Sequence, residues 1–415
     1  MKIITLQPDE FDQFANKHPY RNFYQTSMYA EAMKKNKTSV HYIGIANDND
    51  TLIGASILLY KEVFMGKKYA YAPRGILFDY NSLDQVKTLA QKLKKLLGKQ
   101  GFMYLTMDPY IPVEILDKKG NMINGNHDIN VILENLKKAG FNHKGFNSFF
   151  ENEKARYEAL VLLDKDIKDI YKGFNKQTRN KIQKAINSGI ELIEEPGTDL
   201  SLFYQFVEKK HKRPLSYYQS LKETFKDKFK IFYAKLNTEE FVIKSKALYD
   251  NSVQENDYLN QQMQDPNIKE VTKRKVLNRK IESDKIVNTY KKDLVLATNL
   301  LKNYPDGLIV GSLGYLEYDN ALYLLIEGFD QQYRKMNPNY YLKWEIIKKG
   351  QKEGFKYFNL NAITGDFDGK SKYYGLNEMK LGFNSVATEY IGEFDLIINP
   401  ISYNLYKTQN GQSKL

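Results

Sequence analysis

Cysteine is absent from all 415 residues of the chain. Its absence excludes disulfides, thiolate nucleophiles and Cys-ligated zinc, and it fits a reducing cytoplasm without requiring one. Only five histidines occur, and none has the spacing of a metal ligand set. No run approaches the roughly 18–20 apolar residues of a membrane span, and no early stretch has the apolar core of a signal peptide. The chain opens instead on the strand-like Met1-Lys2-Ile3-Ile4-Thr5-Leu6. The expectation is a soluble cytoplasmic protein. Neither a Gly-x-x-x-x-Gly-Lys-Ser/Thr phosphate loop nor a Gly-x-Ser-x-Gly nucleophile elbow is found, which argues against the enzymes built on them.

What remains is ample for folding. Apolar residues make up 42% of the chain, and the aromatics are mostly Tyr (32) and Phe (23) against a single Trp. Tyrosine pairs an apolar face with a polar tip, so it suits cores and polar clefts alike. The length predicts two domains. A formal charge of +12 points to an anionic partner: nucleic acid, a phosphorylated substrate or an anionic membrane face. The plainer alternative, the Lys- and Asn-rich composition of AT-rich coding, stays open.

Residues 1–150 read as alternating strands and helices. Tyr42 to Ala46, a turn at Asn47–Asp50 and Leu52 to Leu59 form a hairpin signal. Val86, Leu89, Leu93 and Leu97 lie at helical spacing. Gly101 to Pro109 reads as a strand ending in a polar turn. A second round starts near Glu158, with a basic helix from Lys176 to Ser188 that Gly189 is placed to cap. The similar order of elements suggests an internal duplication without a clean sequence repeat. Residues 239–304 differ in kind, being highly charged and poor in glycine. Asn237-x-x-Glu240 and Asn267-x-x-Glu270 resemble capping boxes, with Asp265-Pro266 as the turn between two helices. Val287, Tyr290, Leu294, Ala297 and Leu301 alternate spacings of three and four, a short heptad seam. An antiparallel helical hairpin projecting from an α/β body follows.

Several fragments could carry chemistry. Near the C-terminus, Tyr374-Gly375-Leu376 and Met379-Lys380-Leu381-Gly382-Phe383-Asn384 alternate short apolar runs with Gly and Asn turns. Strands, tight turns and an isolated cation, Lys380, make a site for stabilising an oxyanion. Lys176, Arg179, Lys181 and Lys184 surround a helix start and could hold phosphate or RNA backbone, although a solvated basic face has the same pattern. Pro214 biases Arg213 away from helix, which could turn its guanidinium into a cleft beside Tyr217-Tyr218. Arg74, in Tyr71-Ala72-Pro73-Arg74-Gly75, could bring a cation to an anionic ligand or pin its own loop. Asp108-Pro109 offers either a proton acceptor or ordinary turn chemistry.

In order and spacing these fragments, with Tyr24-Gln25-Thr26-Ser27 at the start, resemble the FemABX peptidyltransferases. The resemblance covers most of the chain. It implies an α/β (α+β) fold of two GNAT-like (acyl-CoA N-acyltransferase-like) domains with an antiparallel coiled-coil arm inserted in the second. The domains would be 1–153, then 154–238 with 305–394, the arm 239–304, and a tail 395–415 packing on the first domain. It implies an aminoacyltransferase moving Gly, Ala or Ser from aminoacyl-tRNA to the stem-peptide amine of a peptidoglycan precursor, lipid-linked or nucleotide-linked. No metal or redox cofactor is implied. Lys380 and Asp108 would be catalytic; Arg213, Arg74, Tyr217 and Tyr374 would meet the acceptor; Lys176, Arg179, Lys181 and Lys184 would face tRNA. The family's first-domain phosphate lysine falls on Met33 by strict count, which leaves Lys34 next to it as a stand-in. Peripheral contact with the inner membrane face and a dimer with a like or related transferase are further implications. An acetyl-CoA-dependent N-acetyltransferase and a non-catalytic basic RNA-binding protein stay open as alternatives.

Overall fold

The computed structural model describes residues 1–64, 66–147, 149–210, 213–369 and 371–410. His211, Lys212 and the last five residues of the tail lie outside them. Local sequence explains most elements. The hairpin of β2 (Ser39–Ala46) and β3 (Leu52–Phe64) turns where the Asn47 side chain accepts from the amides of Asn49 and Thr51, both at 3.0 Å. Ser82 caps the helix Leu83–Lys99, which buries Val86, Leu89, Ala90, Leu93 and Leu97 as one stripe. The basic helix runs Lys176–Asn187, and Gly189 follows it at φ +71°. A Cβ there would meet the Asn237 carbonyl oxygen at 2.9 Å and the Phe241 amide nitrogen at 3.0 Å. Gly189→Ala is therefore expected to cost more than about 1 kcal/mol, read as a lowered midpoint in urea; an unchanged midpoint would mean the arm's base yields freely.

Two mixed sheets form the body. In spatial order the first holds β1 (Lys2–Thr5), β2, β3, β4 (Lys67–Ala72), β6 (Phe102–Met107), β17 (Phe394–Ile397) and β9 (Phe141–His143), with β5 (Leu77–Phe78) beside β3. The second runs β11 (Ile190–Glu194), β12 (Phe229–Leu236), β13 (Leu308–Tyr318), β14 (Ala321–Phe329), β15 (Tyr357–Ile363), β10 (Tyr157–Leu162), β16 (Val386–Tyr390), β7 (Pro112–Leu116) and β8 (Met122–Gly125). Each sheet is antiparallel except for one parallel pair, β4 with β6 and β14 with β15, joined through the helices Leu83–Lys99 and Pro338–Lys352. The repeated element order thus reflects a repeated topology.

The sheets do not divide at residue 153. β7 and β8, from the first round of the chain, extend the second sheet by pairing with β16, while β17 near the C-terminus inserts between β6 and β9 of the first. Each half lends strands to the other. An apolar core also crosses between them: Phe23 meets Tyr323 edge-on at 5.1 Å, and Tyr29 and Leu77 belong to the same cluster as Phe203, Leu221 and Phe229.

The arm consists of helices Thr238–Gln264 and Glu270–Asn303 packed along each other. Asn237 caps the first, accepting from the Glu240 amide at 3.0 Å. The second expected capping box does not form. Its N-cap is Lys269, with no side-chain cap, while Asp265 accepts from the Asn267 amide at 2.9 Å. The Pro266 turn uses Asn267, so the helix starts later. The seam is partly polar, with Ser252 and Ser283 buried and Asn256 donating to Ser283 at 3.1 Å. Among the described residues no helix is long and apolar enough to cross a membrane.

Candidate functional site

The two strands of the parallel pair β14–β15 stay together only at Ala321/Tyr357, Leu322/Phe358 and Tyr323/Asn359. Beyond that point β14 continues to Phe329 and β15 to Ile363 without pairing, which opens a notch. Asn361 stands there at φ +66° and donates from its side chain to the Leu324 carbonyl at 3.2 Å. A separated pair of strands leaves polar backbone groups free for a ligand.

Lys380 reaches this notch, donating from Nζ to the Ala362 carbonyl at 2.7 Å. It does so from a helix, Tyr374–Leu381, rather than from the strands and turns expected. Asn377, Lys380 and Leu381 are its buried residues, the i, i+3, i+4 spacing of one helical face; Gly375 lies in its first turn, and Gly382 and Asn384 follow its end. Lys380 is only 7% exposed. Burial pulls its pKa down to about 7, opposed by Glu327, while Lys343 and Lys210 push it further down. A lysine in that range exchanges a proton near neutrality and is a strong donor when charged. Glu327, on β14, is paired with the fully buried Lys343 on the neighbouring helix.

Asp108 and Arg74 close the corresponding opening of the first sheet. Past Ala72 and Met107 the Arg74 amide donates to Asp108 Oδ1 at 2.7 Å. The Arg74 guanidinium donates to Glu158 Oε1 at 2.6 Å and to the Ala155 carbonyl at 2.8 Å, and it lies 5.0 Å from the Tyr390 ring centroid. Arg74 is 3% exposed and its charge is matched by Asp108 and Glu158. It staples the first sheet to β10 of the second. Glu158 also accepts from Asn359 at 2.7 Å and Tyr110 at 3.1 Å. Burial raises the Asp108 carboxyl to about 7, against the pull of Arg74.

Between these two openings lies a narrow cleft lined by Tyr24, Arg74, Lys154, Glu158, Leu324 and Asn361. Arg213, an exposed residue held out of helix by Pro214, has its guanidinium 4.3 Å from the Tyr217 ring. The Tyr204 hydroxyl donates to the Arg213 carbonyl at 3.1 Å. Tyr24 lies in the field of Arg213, Arg74, Glu158 and Asp108, and Tyr217 stands beside Arg213.

Other sequence candidates do not join them. Lys34 lies 3.7 Å from Glu31 and over the Tyr42 ring, while Met33 beside it is buried. Tyr374 lines a separate pocket with Lys118, Asn175 and Asp366. In the basic helix, Arg179 donates to the carbonyls of Lys172, at 2.9 Å, and Phe174, and Lys181 donates to the Tyr340 hydroxyl at 2.9 Å. Both therefore hold local structure. Lys176 and Lys184 remain exposed. The helix start is already capped by Asn175, whose side chain accepts from the Thr178 amide at 2.7 Å.

Sequence reasoning missed Lys154, Glu158 and the Glu327–Lys343 pair. Glu158 carried a signal, being the lone charge in the apolar strand Tyr157–Leu162. Lys154 carried none, as one of 62 basic residues.

Comparison with known proteins follows the same outline. The model of the FemAB family matches residues 6–410. The chain is 26% identical over 416 residues to Aminoacyltransferase FemA of Staphylococcus epidermidis (strain ATCC 35984), covering 98% of this chain and 99% of that one. It is 25% identical over 427 residues to the protein of the same name from Staphylococcus aureus (strain N315), covering 100% and 99%. Among solved structures, that of FemX superposes with a TM-score of 0.71 at 22% identity, covering 98% of this chain and 99% of that one. The last is a likeness of fold.

Proposed function

This chain belongs to the FemAB family and is an aminoacyltransferase, and from that premise we propose that it moves an amino acid from aminoacyl-tRNA to the stem-peptide amine of a peptidoglycan precursor. The observation that carries this reading is Lys380, a buried lysine aimed at the notch where β14 and β15 part. The acceptor amine, neutral when it attacks, forms a bond to the ester carbonyl carbon and the carbonyl oxygen becomes an oxyanion. A charged Lys380 donates to that oxygen as the charge develops. Collapse breaks the bond to the ribose oxygen, which leaves as a hydroxyl with the proton lost from the attacking nitrogen. Asp108, held near neutrality by burial, is suited to carry that proton in transit. The ester is already activated, so positioning supplies most of the remaining work.

Arg213 and Tyr217 suit the anionic part of the acceptor, and the exposed Lys176 and Lys184 suit the RNA backbone. Arg74 supports the acceptor site from behind, as a staple. The reaction belongs to the cytoplasm, and a lipid-linked acceptor would bring the positively charged chain to the inner membrane face. The test is transfer of radiolabelled Gly, Ala or Ser from a set of charged tRNAs to lipid-linked or nucleotide-linked precursor. Transfer from one tRNA names the donor and the reaction. No transfer from any of them, with RNA still bound, would replace this reading by a non-catalytic RNA-binding one.

A further inference from the structure

The helix that carries Lys380 has little of its own to hold it. Tyr374–Leu381 is eight residues long, Gly375 weakens its first turn, and no side chain caps its start at Tyr373. Its place is fixed from outside. Asn377 is 2% exposed and spends its amide on one loop, the residues that follow β15. Its Oδ1 accepts from the Thr364 amide at 2.9 Å. Its Nδ2 donates to the Thr364 carbonyl at 2.9 Å, and to the Thr364 hydroxyl and the Asp366 carbonyl, both at 3.0 Å. Thr364 is fully buried, so water offers these groups no ready substitute. Lys380 lies one helical turn beyond Asn377 on the same face, and its Nζ reaches Ala362, two residues before Thr364. One buried face thus grips the end of β15 at two points. The far end of the helix is tied separately. The Ser385 hydroxyl donates to the Lys380 carbonyl at 3.1 Å, and the Asn175 amide to the Gly382 carbonyl at 2.9 Å.

We infer that Asn377 is a positioning residue for Lys380: its amide locks the helix onto the loop after β15 and so sets where the lysine Nζ stands in the notch. The inference rests on the oxyanion role given to Lys380 above. An ammonium has three N–H donors. The one given to Ala362 anchors it, and the others can turn to the ester oxygen. Such a donor works only within about 2.7–3.1 Å of the developing charge, and a misplacement of about 1 Å costs on the order of 10²-fold. Asparagine suits the place because it both accepts and donates there. Aspartate has the same shape, yet it would turn a carboxylate oxygen toward two carbonyls that cannot donate.

The lock has a protonic readout. Lys380 is faced by Glu327 from β14, Lys343 from the helix Pro338–Lys352, Lys210 from the segment after the helix Ser201–Val207, and Glu158 from β10. Burial among them holds it at about 7, and a lysine released toward water returns toward 10.5. The alkaline limb of transfer therefore moves upward when the helix loosens. A change that merely lowers the folded fraction leaves the limb in place.

The experiment joins transfer kinetics of the full chain, across the neutral and alkaline range, to competitive acetic anhydride labelling of Lys380 read by mass spectrometry. Asn377→Asp keeps the shape, and Asn377→Ala removes all four contacts without adding a charge. Each should lower kcat by about 10- to 100-fold with KM unchanged. In Asn377→Ala the alkaline limb and the labelling midpoint should both rise. Thr364→Val removes only the hydroxyl contact and should move kcat and midpoint less, in the same direction. Thermal melts verify each fold. Wild-type kcat in folded Asn377 variants, a loss confined to KM, or a labelling midpoint that stays near that of wild type would each overturn the positioning role. So would Asn377 variants that unfold beside a Thr364→Val protein with wild-type kcat and midpoint. Labelling needs neither donor nor acceptor. A midpoint that depends on Asn377, without transfer from any charged tRNA, keeps the positioning role and sinks the proposed reaction. Transfer that falls in Lys380→Ala but not in the Asn377 variants does the reverse.

Discussion

Lys380→Ala is expected to lower amino-acid transfer by about 10²–10³-fold, the scale measured for removing one oxyanion donor. The loss should fall on kcat, because the donor acts on charge that exists only in the transition state. The same lysine predicts a pH dependence with a defined sign. It is charged below about 7 and loses its proton as the pH rises through that value. Transfer by the free enzyme should therefore fall on the alkaline side, and Lys380→Ala should lack that limb. Stability runs the other way. Unfolded, this lysine titrates near the ordinary lysine value of 10.5, so between about 7 and 10.5 the unfolded chain binds the extra proton and this site's contribution rises with pH. Lys380→Met, which fills the space without the charge, should lower transfer as far as Lys380→Ala does without lowering the thermal midpoint. A Lys380→Ala protein with near wild-type kcat would end the oxyanion assignment. A Lys380→Met protein that unfolds would show the lysine to be a structural donor to Ala362.

Arg74→Met should be among the most destabilising single changes in the molecule. It removes the cation from Asp108 and Glu158 and leaves two carboxylates buried at 2% and 6% exposure. Breaking a buried pair in this way costs about 3–5 kcal/mol, and Arg74 loses its hydrogen bond to Ala155 as well. Urea unfolding measures the cost. Adding Glu158→Gln should return part of it by removing one stranded charge. A loss of under about 1 kcal/mol for the single variant would mean that the carboxylates protonate or hydrate freely, and that Arg74 is not the staple between the sheets.

These two residues mark how far the sequence could be read. The apolar stripe from Val86 to Leu97 and the cap at Gly189 follow from spacing and backbone freedom, and both stand where expected. Lys380 could be singled out by the pattern around it, but its helix was hidden. Gly375, Asn377, Gly382 and Asn384, within and just after the segment, look like turn residues, and only packing against β15 makes a helix of it. Arg74 and Arg213 looked alike, as arginines beside turn-forming residues. One is spent within the fold and the other is not, because two carboxylates distant in sequence, Asp108 and Glu158, reach the first and, among the described residues, none comes within ion-pair distance of the second. Lys34 and Met33 differ by one helical step, about 100° of rotation, and that step turns the lysine toward Glu31.

The chain alone determined what local rules can specify: alternating strands and helices, a charged helical hairpin broken at Pro266, no disulfide, and an excess of positive charge. Those features depend on neighbours a few residues away, where backbone preference and hydrophobic period act directly. Tertiary structure decided the rest. β7 and β8 join the second sheet and β17 the first, since strand pairing is satisfied by any edge the chain can reach. The same closure decides which cations are neutralised. Lys380 is buried against a carbonyl, Arg74 is locked between carboxylates, and among the described residues Arg213 has no carboxylate within ion-pair distance, because an ion pair is defined by distance in space and not by position in the chain.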